Sequence, residues 1–93
     1  MAADDPIEAI EYELQEGRAY ALGRAGKRVE DAIAALATGT PHARELLLSQ
    51  AAEAVWEFII TRESAGFYDH ALLEDAYGIP PQVMARVGVV RKR

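Results

Sequence analysis

An all-α fold is what this 93-residue sequence predicts: a long N-terminal helix antiparallel to a central helix, with two short C-terminal helices packed on them. Three observations lead there. Apolar residues recur at helical spacing over most of the chain. No run shows the sustained two-residue alternation of a half-buried strand. Glycines and prolines fall where one periodic stretch gives way to the next, as helix stops and starts require. With no internal repeat and no linker-like stretch, residues 1–93 are expected to form a single helical domain.

The first helix is expected from Pro6 to Ala37. Ile7, Ile10, Leu14, Leu22, Ala25, Val29, Ile33 and Leu36 follow a period of about 3.6 residues. Pro6 suits a first-turn position, Asp4 and Asp5 complement the positive end of the helix, and Gly39 is expected to stop it in a left-handed cap. Gly17, Gly23 and Gly26 each cost about 1 kcal/mol relative to alanine. A break near Gly23 to Gly26 is therefore the main alternative.

Thr40 and Pro41 read as an N-cap and first-turn proline for a second helix, Pro41 to Ala65. Leu47, Ala51, Ala54 and Phe58 form one apolar line and Leu48, Ala52, Val55 and Ile59 another. Gln50, Glu53, Glu57, Thr61 and Ser64 share a narrow polar strip. A helix wetted on so little of its surface belongs at the centre of the domain. Gly66 ends it. Asp69 is placed to cap a third helix, His70 to Tyr77, stopped by Gly78. Pro80 and Pro81 then open a fourth, Gln82 to Val87, stopped by Gly88. The expected core is Leu22, Val29, Leu36, Leu47, Ala51, Val55, Phe58 and Ile59. Trp56 is expected between the central helix and the C-terminal pair, which Leu72, Leu73, Ala76, Ile79, Val83 and Val87 anchor.

Composition narrows the function. Hydrophobic residues make up 51% and charged residues 27% of the chain, which excludes disordered and fibrous classes. The longest uncharged apolar stretch, Leu46 to Ala52, is far short of a membrane span. The acidic start at Asp4 and Asp5 is unlike the basic start of an export signal, so a cytoplasmic address is expected. Zero cysteines exclude disulfides, thiol nucleophiles and thiolate metal sites. The net charge is −5, yet residues 1–16 hold six acids and no base, while residues 86–93 hold four bases and no acid. A fold-wide nucleic-acid footprint is not expected, because most of this surface would repel phosphates.

Catalytic and cofactor signals are missing. Ser49 and Ser64 lie within or at the end of a helix, not on a strained elbow. His42 and His70 have no paired Glu-x-x-His arrangement for a metal, and Gly23-Arg24-Ala25-Gly26 sits inside a helical pattern instead of after a strand. No cofactor, metal or enzymatic activity is expected. Two charged residues break the first helix's apolar stripe: Glu11 and Arg18, two turns apart on one face, form a candidate polar pair that projects to water, frames a small-anion pocket or meets a second chain. Ala19, Gly23 and Gly26 line a strip of small residues beside that stripe. They are the candidate contact of a homodimer, since small residues let a second helix backbone approach closely and twofold dimers are the commonest oligomers. The stretch from Leu73 to Val87 has the helix–glycine–helix outline of a helix-turn-helix, in which Gln82 and Arg86 would be the DNA contacts. Against it, Glu74 replaces a small residue and Pro80-Pro81 removes backbone donors.

Glu11-Tyr12-Glu13, Ala21 to Gly26, Ala51 to Trp56, Arg62-Glu63 and Tyr77-Gly78-Ile79-Pro80 together resemble a small uncharacterised family of bacterial all-helical proteins, a domain of unknown function. The resemblance covers most of the chain and implies a fold without assigning a functional residue. The expected role is a helical protein–protein interaction or structural module working as a homodimer, with a protein partner possible. The alternative is a small DNA-binding regulator using residues 73–87.

Overall fold

The computed structural model describes residues 6, 7, 10 and 19–91. Among them run α1 (Ala19–Thr38), a short 3-10 turn (Pro41–Ala43), α2 (Arg44–Ser64), α3 (Leu72–Tyr77) and α4 (Pro81–Arg91). Pro6, Ile7 and Ile10 are helical as well, and no described residue lies in a strand. None of these helices is long and apolar enough to cross a membrane.

Helix α2 is the central element, packed against both α1 and α4, while α3 reaches α1. Its buried residues Leu48, Ala51, Ala52, Ala54, Val55, Phe58 and Ile59 meet Leu22, Ala25, Val29 and Leu36 of α1 and Leu73, Ile79, Val83 and Val87 of the C-terminal pair in one core. Ile10 is buried in the same cluster. The expected core is therefore present except at Leu47, which is half-buried against it. Leu72 and Ala76 pack on its edge, as expected of the C-terminal anchors.

Helix α1 passes through Gly23 and Gly26 without interruption. Gly26 is buried because a ring needs the space: an added Cβ would sit 2.8 Å from the Tyr77 hydroxyl and 3.5 Å from Phe58. Those two rings meet edge to face with centroids 5.5 Å apart, which ties α3 onto α1 and α2.

Several helix ends differ from expectation. Gly39 is not left-handed; among the described glycines that conformation belongs to Gly66 and Gly78. Gly39 is required for closeness instead, since a Cβ there would collide with Leu47 Cδ1 and fall 2.9 Å from the Ala35 carbonyl. Thr40 precedes the 3-10 turn without a side-chain cap, so α2 proper starts at Arg44. Asp69 accepts a hydrogen bond from the Ala71 amide at 3.1 Å and forms a turn, and α3 begins later, at Leu72. Helix α4 starts at Pro81 and continues through Gly88 to Arg91. A glycine stops a helix when the chain must turn there, and here nothing forces the turn.

Candidate functional site

The most distinctive exposed surface lies between α1 and α2. On α1, Tyr20, Ala21, Arg24, Ala25 and Arg28 repeat at helical spacing along one edge; on α2, Trp56, Glu57, Ile60 and Thr61 face them. The two edges enclose an open groove of about 460 Å³. Tyr20 is 78% and Ile60 40% exposed. Trp56 is half-buried and forms part of the groove wall. Its position therefore differs from the one expected between α2 and the C-terminal pair. Thr61 donates its hydroxyl to the Glu57 carbonyl at 2.8 Å.

Two cations, Arg24 and Arg28, line the α1 side of this groove, and Lys27 stands beside them on the adjoining ridge. Lys27 bonds Asp31 at 2.7 Å, and that hydrogen bond and charge hold its ammonium above the ordinary lysine range. Arg28 bridges the helices to Glu57. Arg24 lies with its guanidinium carbon 5.6 Å from the Tyr20 ring centroid, a cation–π arrangement, and has no carboxylate partner among the described residues. On the far side of the Tyr20–Arg24–Lys27 ridge, Gly23 opens a second shallow depression; nothing lies within 4 Å of where its Cβ would be.

A second polar cluster is structural in character. Arg62 is fully buried, 0% exposed, at the end of α2. Its Nη1 donates to His70 Nδ1 at 2.5 Å. A guanidinium only donates, so Nδ1 is the acceptor and the ring proton sits on Nε2, where it is donated to Glu63 Oε2 at 2.9 Å. His70 thus joins the last turn of α2 to the segment entering α3.

The residues singled out from the sequence scatter. Glu11 and Arg18 lie outside the described residues, as does the side chain of Ala19. Gly23 faces open space, whereas Gly26 is occupied within the chain by Tyr77. Gln82 is exposed on α4. Arg86 reaches back to α2, donating to Ser49 Oγ at 3.1 Å and Glu45 Oε2 at 2.5 Å.

Sequence reasoning missed both clusters, though signals existed. Residues 17–29 carry Arg18, Arg24, Lys27 and Arg28 without one acid in a chain of net charge −5. Arg62 falls seven residues after Val55 and four after Phe58, squarely on the buried line of α2.

With this geometry in place, the comparisons with known proteins add one relationship. A family of unknown function (DUF6665) matches residues 1–93, and the chain belongs to that family. No curated protein and no solved structure matches it.

Proposed function

Starting from that family, which assigns no activity, we propose that the protein is a helical protein–protein interaction module that works as a homodimer. The observation behind this is the exposed surface along α1 and its groove with α2, where Tyr20, Arg24, Trp56 and Ile60 stand together. Tyrosine, tryptophan and arginine are the residues that dominate binding energy at protein interfaces. The zero cysteine count suits a reducing compartment, and cytoplasmic residence belongs to the same proposal.

The self-contact is assigned to the Gly23 side of α1. Gly23 leaves a helix surface on which a second backbone can lie close, and Lys27 and Asp31 border it with charges of both signs. A twofold contact uses the same patch on both copies, so a surface with both signs can be self-complementary. Sedimentation and native mass measurement across protein concentration test this, with Gly23→Leu as the disrupting variant. Dimer in the parent protein and monomer in a still-helical Gly23→Leu are expected. A parent chain that stays monomeric at high micromolar concentration would sink the homodimer.

A further inference from the structure

We infer that the α1–α2 groove receives an acidic, amphipathic segment of a partner protein, with Arg24 as the residue that recognises its carboxylate. This rests on the reading of the molecule as an interaction module and adds what the module binds.

Shape sets the first requirement. Two packed helices leave a furrow whose walls are Tyr20 and Ala21 on one side and Trp56 and Ile60 on the other. Such a furrow takes apolar side chains presented in a row, which an amphipathic helix supplies at three- and four-residue intervals.

Charge sets the second. Of the two cations that line the groove, Arg28 is engaged by Glu57, which leaves Arg24, whose guanidinium carbon lies 5.6 Å from the Tyr20 ring centroid. A cation–π contact occupies the face of a guanidinium and leaves its N–H groups available, and a carboxylate is the group that pairs with them two at a time. The matching segment therefore carries an acidic side chain beside its apolar ones.

A nucleic acid fits less well. Glu57 stands in the groove wall and Asp31 on the neighbouring ridge. A chain of net charge −5 repels a polyphosphate along most of its length, whereas a single carboxylate meets mainly the local field of Arg24 and Arg28.

Trp56, the chain's one tryptophan, stands in the groove wall and reports occupancy by its fluorescence. The full-length protein is titrated with a blocked amphipathic peptide of leucine and glutamate, with its leucine–lysine counterpart, and with a mixed-sequence DNA duplex. The leucine–glutamate peptide is expected to shift Trp56 emission, with affinity weakened about tenfold or more in Arg24→Glu and in Tyr20→Ala. Both changes fall on exposed positions, so circular dichroism should remain that of the parent. The leucine–lysine peptide should give no shift.

Equal response to the two peptides, undiminished binding in Arg24→Glu, or tighter binding of the duplex overturns the assignment. So does a peptide-free emission shift that grows with protein concentration and disappears in Arg24→Glu, which gives the groove to a second copy of the chain. Loss of peptide binding with an intact dimer refutes the groove's occupant alone; a monomer that binds no peptide refutes the module as well.

Discussion

Arg62 occupies a place where the periodicity of α2 calls for an apolar side chain, and burying a guanidinium there is tolerable only because it is hydrogen-bonded. His70 provides one acceptor and is itself oriented by Glu63. His70→Phe keeps much of the ring's volume but removes that acceptor from a charge shut off from water. A loss of about 1–3 kcal/mol is expected, read as a lower denaturation midpoint. His70→Asn should recover part of it, because its Oδ1 stands near the place of Nδ1; equal stability of the two variants would show that the bond contributes nothing. The glycines of α1 make a complementary pair. Gly23→Ala meets nothing within 4 Å and should gain up to about 1 kcal/mol of helix propensity. Gly26→Ala has the same propensity to gain, yet its Cβ would press on the Tyr77 hydroxyl at 2.8 Å. It should therefore fall short of Gly23→Ala, and the shortfall should shrink in a Tyr77→Phe background. A double-mutant cycle by thermal melts measures that coupling.

Among the elements, α2 holds the fold together because both α1 and α4 pack on it. Phe58, 1% exposed, is the largest apolar side chain it buries and also the partner of Tyr77. Phe58→Ala should cost about 3–5 kcal/mol, a large share of the 5–15 kcal/mol typical of such domains. An unchanged melting temperature would contradict the central place of α2. Gly78 closes α3 at φ +61°, so Gly78→Val should destabilise by at least about 1 kcal/mol while Gly88→Ala, inside α4, should not. The helices were legible because a 3.6-residue apolar period survives any arrangement of neighbours. Their ends were not. Gly39 and Gly88 look alike in sequence as stops, yet one is needed for its contact with Leu47 and the other lies within a continuing helix. Periodicity likewise gives the angular position of Trp56 on α2 without saying which neighbour its ring will meet.

At the scale of the whole molecule, charge is what the chain distributes most unevenly, and the same unevenness hid the groove. The bases at residues 17–29 directly follow the acids of residues 1–16, so a running net charge cancels them; only folding sets Arg24 and Arg28 beside Trp56 and Ile60. The basic residues near the C-terminus were plain in sequence, but their environment was not. Arg86, a base-reading residue in the regulator alternative, is tied to Glu45 and Ser49 across α2. Reaching a base edge would require breaking both contacts. Over residues 1–85, fifteen acids face six bases, a net −9 that opposes any duplex drawn toward the tail. Counterion release from about four phosphate contacts gives weak, salt-sensitive attraction at most. Selection of the purified protein against a random duplex library at ~0.15 M salt should therefore enrich no motif. Arg86→Ala should lower stability by no more than about 1 kcal/mol, as expected for a partly exposed ion pair. Replacing Arg91, Lys92 and Arg93 with glutamine should leave the melting temperature where it was. Enrichment of a palindromic motif, lost in a still-folded Arg86→Ala, would mean that α4 leaves its contacts with α2 to read DNA, and the regulator would displace the interaction module.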